Sequence, residues 1–588
     1  MSEAKIASSG RKRAILFRLI RYLLHIDGWT LLLAILISII GNILALAGPF
    51  LSGKAIELIE LGVGRVDFPA VVEYAILMIG CYLFSAIFAY ILSVLMIKIS
   101  QDTVYQMRKE IFEKLAKLPV GWFDRSQTGD VLSRISYDVD TINTSLSSDI
   151  VQIFSSAVTI IGSLVMMITI SPKLSLIFAF TFPLSVVLIR AITSRTKPLF
   201  QARSKRLGEL NGFVEEMITG QRTIKAYNRE ENTISRLYSF NREATEAYYK
   251  SEYYGRIVGP IVGFINNLAL SLVGVFGALL YLAGSLGIGG ISSFVLYSRK
   301  FAGPVNEIAN IIGDLQSAIS AAERVFKLFD EPGEKEDSLH AKELSDVHGN
   351  VALSHINFSY IENVEIIKDL SLNVPSGSLV AIVGPTGAGK TTIINLLMRF
   401  YDPQSGQILL DDHPINDITR SSLRRAYSMV LQDTWLFGGT IYENIAYGKE
   451  SATLEDVSAA CREAGIARFV EQLPQGYDTL LDDDGGNISK GQKQLLTIAR
   501  AMLIDAKLLI LDEATSNVDT RTEKRIQAAM RRIMSDKTCF VIAHRLSTIQ
   551  NADVILVVRD GKIVETGTHT ELMRQRGFYR EMFEAQFS

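Results

Sequence analysis

Apolar positions are unevenly spread along this chain of 588 residues. Six runs, at residues 30–51, 70–96, 150–170, 174–189, 257–283 and 288–308, are dominated by Leu, Ile, Val, Phe, Ala and Gly. A helix of about 20 such residues crosses the hydrocarbon of a bilayer, so the pattern predicts six spans. The fourth is short and the sixth is interrupted by charges. Between spans two and three, and again between four and five, apolar residues recur at helical spacing, as in Val104, Met107, Ile111, Leu115 and Leu118. These stretches are expected to carry spans two to five out of the membrane as long helical hairpins. Span six is expected to continue through Ile319 and Val325 towards Phe329. Past residue 350 the pattern changes to short apolar runs, at 378–383, 508–511 and 538–543, of the kind that form buried parallel strands. The expected architecture is a multidomain membrane protein. It has an N-terminal segment at 1–29, an all-α six-helix transmembrane domain at 30–329, a charged Gly- and Pro-containing linker at 330–349, and an α/β domain at 350–588.

Composition supports the split. Hydrophobic residues make up 48% of the chain and charged ones 21%, and mean hydropathy is +0.23. Sixty basic residues against 62 acidic ones leave a formal charge of −2, which excludes a nucleic-acid binder working by bulk positive charge. Cys81, Cys461 and Cys539 form no CxxC pair, and the seven histidines show no HExxH spacing, so neither a disulfide framework nor a zinc site is expected. Span one is too long, and lacks the small-residue site, to be a cleaved signal. With so short a stretch before it, a fused peptidase, and so a peptide exporter that processes its own cargo, is not expected. Lys and Arg crowd the leader (Lys5, Arg11, Lys12, Arg13, Arg18, Arg21) and the two long loops, while the other connections carry few. The positive-inside rule then places both termini and the α/β domain in the cytoplasm of a multi-pass cell-membrane protein.

Span six carries a polar stripe. Ser292, Arg299, Gly303, Asn306 and Asn310 share one helical face. Polar groups within a span face a bundle interior or a watery cavity, so the stripe is a candidate lining for a translocation pathway. The alternative is that Arg299 and Lys300 lie at the inner interface and snorkel there, with Glu307 as partner.

The run at 378–383 leads directly into Gly384-Pro385-Thr386-Gly387-Ala388-Gly389-Lys390-Thr391, and then into the helical Thr392 to Met398. This is G-x-x-x-x-G-K-[ST] between a strand and a helix. In that setting backbone N–H groups curl around phosphates, Lys390 reaches the β- and γ-phosphates, and Thr391 sits on Mg²⁺. A second strand ends in Asp512-Glu513. Asp512 is placed to hold Mg²⁺ and Glu513 to polarise an attacking water, as phosphoryl transfer to water requires. The plainer reading is two carboxylates at a strand end. A third strand ends in His544, a candidate contact to the γ-phosphate, although a lone histidine is more often structural.

Taken in order, these motifs resemble the nucleotide-binding domain of ATP-binding cassette (ABC) transporters. Tyr360, in Phe358-Ser359-Tyr360, resembles the aromatic platform that stacks on adenine. Gln432 resembles the loop glutamine that contacts Mg²⁺ and senses the membrane domain. Asn487-Ile488-Ser489-Lys490-Gly491-Gln492 stands where the family has Leu-Ser-Gly-Gly-Gln, and Ser516 to Asp519 occupies the loop that crosses between paired domains. The resemblance extends to the membrane half. Phe123-Asp124, Thr128 to Arg134 and Asp138 are similar to the first cytoplasmic loop of the family's six-span exporters, and Gly220 to Ala226 to the second. In that family, short helices at the tips of these loops dock on the nucleotide domains. Fusion of both domains in one chain favours export over import.

The resemblance implies half of a dimeric exporter that binds ATP and Mg²⁺ and moves an amphipathic drug, lipid or peptide-like substrate across the bilayer by alternating access. It also implies that each signature completes the opposing subunit's ATP site, through Ser489, Gly491 and Gln492 here. Lys490, in place of the first signature glycine, points to a homologous heterodimer partner, while a homodimer that tolerates the lysine is the alternative. A sensor or gated channel built on the same cassette is the rival class, and the intact set Lys390, Asp512, Glu513 and His544 argues against it.

Overall fold

Backbone polar groups in hydrocarbon must be satisfied within their own segment, so long apolar runs become helices. The computed structural model describes residues 2–587 apart from 61, 63–65, 146–148, 362–363, 433, 483–484, 513–519 and 544–548; residues 2–12, 150, 305–310, 312–313, 520 and 586–587 are described by backbone alone. The chain forms two compact units, Met1–Ala116 with Gln127–Glu331, and Lys117–Ser126 with Pro332–Ser588.

The first unit is helical. In chain order the helices are α1 (Ser2–Ile59), α2 (Phe68–Ala116), α3 (Val120–Phe123, which belongs to the second unit), α4 (Thr128–Ser133), α5 (Val139–Thr144), α6 (Ile150–Ile170), α7 (Pro172–Thr219), α8 (Gln221–Ala226), α9 (Glu230–Gly255), α10 (Val258–Leu282) and α11 (Ile288–Asp330). Among the described residues five stretches are long and apolar enough to cross a membrane: Arg13–Ile59, Phe68–Ala116, Val151–Ile170, Pro172–Thr219 and Glu230–Leu282. The sixth expected span falls on the first part of α11. At 49 and 48 residues, α2 and α7 are more than twice as long as a crossing requires, which is the hairpin extension the loop periodicity predicts.

The leader is not a separate segment: it is the first arm of α1. The arms meet at Asp27, whose backbone leaves the helical region (φ −149°, ψ 59°). The Asp27 carboxylate accepts from the Thr30 N–H at 3.3 Å and so starts the second arm. Leu19 and Leu23 are buried. The Arg18 guanidinium forks onto Asp330 of α11 at 2.6 and 2.8 Å and lies 4.4 Å over the Phe326 ring.

The core of this unit gathers Leu46 of α1, Met167 of α6, Leu174 and Phe178 of α7, Ala269 and Val273 of α10, and Phe294, Tyr297 and Phe301 of α11. Two of the polar groups on α11 are paired with backbone of α1. Tyr297 donates to the Leu46 carbonyl at 2.6 Å, and Ser293 to the Pro49 carbonyl at 2.8 Å. Outside the membrane segments, Arg324 of α11 binds the buried Asp138 carboxylate through two hydrogen bonds, one of them 2.8 Å.

Helices packed in lipid approach closely only where side chains are small. A Cβ on Gly289 of α11 would lie 2.2 Å from the Gly53 carbonyl of α1, and a Cβ on Gly53 would lie 2.7 Å from the Gly289 carbonyl. Backbone cannot give way as a side-chain tip can. Gly289→Val is therefore expected to cost about 3 kcal/mol and to lower the unfolding midpoint of the detergent-solubilised chain. An unchanged midpoint would mean that α1 and α11 separate freely.

The second unit contains two main sheets. The antiparallel one has order β2-β1-β4-β5, from β1 (Val351–Phe358), β2 (Ile367–Val374), β4 (Ser405–Leu410) and β5 (His413–Pro414). The other has order β12-β11-β3-β10-β9-β6, from β3 (Leu379–Val383), β6 (Tyr427–Val430), β9 (Leu508–Asp512), β10 (Thr538–Ile542), β11 (Val554–Arg559) and β12 (Lys562–Gly567). All its neighbours are parallel except β11 with β12. A small pair, β7 (Gly439–Thr440) with β8 (Leu480–Leu481), accompanies the helices Ile441–Ala446, Leu454–Ala464 and Lys490–Ile504. Strands β3, β9 and β10 are buried almost throughout, which is why they read as continuous apolar runs.

The linker is fastened rather than free. Glu334 pairs with Arg424, and Asp337 accepts from Arg420 at 2.7 Å. The Arg399 and Arg420 side chains are only 7% and 9% exposed. Burying guanidinium groups requires carboxylate partners, and the acidic residues that read as a solvated spacer provide them.

Candidate functional site

Parallel strands bring their carboxyl ends to one edge, where ligands bind in open α/β sheets. The register is explicit. Ile382 of β3 lies beside Ile542 of β10, Ile542 beside Asp512 of β9, and Leu511 beside Val430 of β6. The phosphate loop after β3, Asp512, and Gln432 after β6 thus emerge along the same edge.

The loop is shaped by what cannot fit. Gly384 has φ +153°, and a Cβ there would lie 2.1 Å from the Val558 carbonyl of β11. Gly389 (φ 103°, left-handed) is the N-cap of helix Lys390–Leu397, whose free N–H groups face the loop. Lys390 curls back and donates to the carbonyls of Gly384 at 2.8 Å and Pro385 at 3.0 Å. Burial lowers its pKa from the ordinary lysine value, and the charge of Asp512 partly opposes this. Thr391 is exposed in the first turn, whereas Thr392 is buried and turned towards Tyr360, with 3.3 Å between the hydroxyls. Asn395 donates to the Tyr360 hydroxyl at 3.0 Å.

A loop that a Cβ would fill, closed around a half-buried ammonium at a helix N-terminus, fits a polyphosphate. The Thr391 hydroxyl and the Asp512 carboxylate are the hard oxygen donors Mg²⁺ takes.

Other expected residues stand elsewhere. Ser489 caps helix Lys490–Ile504 in a reciprocal box with Gln492, at 2.8 and 3.3 Å, and Gly491 is buried in its first turn. Gln432 is exposed. Glu513, Asp519 and His544 lie outside the described residues. On α11, the packed face is Ser293, Phe294, Tyr297, Ser298 and Phe301. Arg299 and Gly303 are exposed and Ser292 half-buried, so these three stripe residues fall off the packed face. The side chains of Asn306, Glu307 and Asn310 lie outside the described residues.

Sequence reading missed Tyr401 and Asn395, both packed around the Tyr360 ring or hydroxyl. The aromatic pair Phe400-Tyr401 just beyond the phosphate-loop helix was the available signal.

Comparison with known proteins agrees with these features. A family profile described as the ABC transporter transmembrane region matches residues 31–305, and one described as ABC transporter matches residues 367–516. The chain is 45% identical over 520 residues to the fatty acid ABC transporter ATP-binding/permease protein of Mycobacterium bovis, covering 88% of this chain and 82% of that one. It is 35% identical to the ATP-dependent lipid A-core flippase of Hahella chejuensis, covering 87% and 88%. Among solved structures, that of a bacterial Atm1-family ABC exporter with ATP bound superposes with a TM-score of 0.78 at 31% identity, covering 96% of this chain and 99% of that one. With a helical membrane unit and an ATP-binding unit fused in one polypeptide, the chain belongs to the ABC transporter family as an exporter-type half-transporter, an ATP hydrolase coupled to transport across a membrane.

Proposed function

We propose that this half-transporter exports a lipid-class amphiphile, such as a fatty acid, by alternating access in the cell membrane, with its ATPase unit and both termini in the cytoplasm. The carrying observation is the register that sets the phosphate loop, Asp512 and the strand leading to Gln432 along one sheet edge, in a chain whose relatives include a fatty acid transporter and a lipid A-core flippase.

The residues divide the work as follows. The loop from Gly384 to Gly389 turns N–H groups inward, and Lys390 exchanges its two carbonyl partners for phosphate oxygens. Thr391, Asp512 and Gln432 would hold Mg²⁺, which supplies charge to the departing phosphate. Glu513 takes the proton of the attacking water, and His544 orients the γ-phosphate. Tyr360 stacks on adenine, and Asp519 lies in the loop between paired domains. Ser489, Gly491 and Gln492 complete the site of the opposing subunit. ATP favours the closed pair by binding it more tightly than the open one. The face of Ser292, Arg299, Gly303 and Asn306 lines the pathway.

Lys490 sets this chain apart. A lysine where the signature expects glycine adds bulk and charge beside the opposing γ-phosphate, so a homologous heterodimer partner with a hydrolysis-poor site is the reading it supports. Co-purified with that partner and reconstituted in vesicles, the chain is expected to accumulate a fluorescent fatty acid against its gradient when ATP is present. Flux that only follows the gradient would overturn pumping. Vigorous hydrolysis and transport by the chain alone, at two equivalent sites, would overturn the heterodimer.

A further inference from the structure

The short helix α3 lies in the second compact unit although its neighbours in sequence belong to the first. It is seated on one side chain. The Tyr401 hydroxyl donates to the Asp124 carboxylate at 2.5 Å. The backbone of Gly121 lies against the same ring, so closely that a Cβ would come within 2.7 Å of it. Burial, and then the hydrogen bond to Asp124, push the pKa of the Tyr401 hydroxyl well above the ordinary tyrosine value. The other end of α3 is tied by the Lys117 carbonyl, which accepts from the Glu334 N–H at 2.8 Å.

The Tyr401 ring also meets the ring of Tyr360. Tyr360 and Tyr401 stand edge to face with centroids 4.9 Å apart at 86°, and Phe358 closes the cluster at 4.8 Å from Tyr360 and 5.6 Å from Tyr401. Such edge-to-face contacts fix relative ring orientation. A base stacking on Tyr360 therefore restrains a ring whose hydroxyl holds the loop helix. No phosphate contact is needed for that step.

We propose that Tyr401 is a positioning residue through which the nucleobase, rather than the triphosphate, sets the seating of α3. This rests on the nucleotide site proposed above. The two events are reciprocal by linkage: if base stacking strengthens seating, loss of seating weakens base binding by the same factor. Docking of a loop helix on a nucleotide domain is expected from the family resemblance. What the geometry adds is a route by which the loop distinguishes an adenine nucleotide from bare polyphosphate.

The test compares ATP with inorganic tripolyphosphate, each with Mg²⁺, on the full-length protein in detergent. Asp124→Ala and Tyr401→Phe are each expected to weaken ATP binding about five-fold and to leave tripolyphosphate binding unchanged. The double variant loses no more than either single one, and Asp124→Asn, which keeps an acceptor oxygen, restores wild-type affinity. A second readout leaves both residues intact. With Trp29 and Trp435 replaced by Phe, the emission of Trp122 on α3 is expected to shift with ATP and not with tripolyphosphate. Equal losses for both ligands, additive losses in the double variant, or the same Trp122 response to both would overturn the relay and leave the nucleotide site standing. Lys390→Ala serves as control. Undiminished binding of both ligands by that variant would overturn the site itself, and the relay with it.

Discussion

Glu513→Gln is expected to bind ATP as the wild type does and almost to cease hydrolysing it. β9 drives a fully apolar ladder, Leu508 to Leu511, through the sheet and releases Asp512 at its end, beside Ile542 of β10. In the proposed division of work the next carboxylate along the chain, Glu513, is the group that takes the proton of the attacking water. A glutamine has the shape of that side chain and still accepts a hydrogen bond, but it cannot take a proton. General-base catalysis is worth about 10²- to 10⁴-fold, so steady-state phosphate release should fall at least about 10²-fold, a rise of about 3 kcal/mol in the barrier. Because the closed, ATP-loaded pair then persists, the variant should also trap the transporter in one state. Equilibrium ATP binding and phosphate release, measured on the same preparation, separate the two effects. A turnover near wild type would mean that another group activates the water.

Much of this architecture is legible in the sequence because its causes are local. Hydrocarbon demands about 20 apolar residues per crossing, and among the described residues five of the six expected runs coincide with helices that meet that demand. The phosphate loop is likewise a local object, a turn whose last glycine, Gly389, takes the left-handed conformation that caps the helix directly after it. What escaped sequence reading depends on partners far along the chain. Tyr401 and Asp124 are separated by 277 positions, and neither lies on a face whose periodicity would signal the other. Glu334 and Asp337 look like solvated linker charges until Arg399, Arg420 and Arg424 are folded against them. The N-terminal segment at 1–29 is read from its charge alone, and the break at Asp27 that makes it the first arm of α1 lies in backbone angles, which hydropathy does not register. The signature illustrates a further limit. Ser489 and Gln492 satisfy each other as a helix cap in the single chain, so their expected role belongs to an assembly of two.

Lys390→Ala should separate binding from folding. Among the described residues the ammonium donates to the Gly384 and Pro385 carbonyls, and burial disfavours its charge more than Asp512 restores it. A basic group whose folded pKa is lowered opposes folding while it is charged, and that penalty is relieved only as pH rises through the folded value. Below that value the penalty is in force. Removing the lysine removes it together with two hydrogen bonds, so the unfolding midpoint without nucleotide should move little. Nucleotide binding should respond quite differently. A charged donor to phosphate is worth about 1.5–3 kcal/mol, and ATP affinity should fall by about 10- to 100-fold. Lys390→Arg should not restore it, since a planar fork does not fit where a compact ammonium is held between two carbonyls. The clearest measurement is the midpoint of unfolding with increasing Mg-ATP. A ligand that binds only the folded state raises stability by RT ln(1 + [L]/Kd), so the wild-type midpoint should climb with ATP while that of Lys390→Ala stays flat over the same range. A parallel climb in the variant would mean that the loop backbone alone holds the phosphates. A collapse of the unliganded midpoint would mean that the lysine is a strut of the fold before it is a ligand.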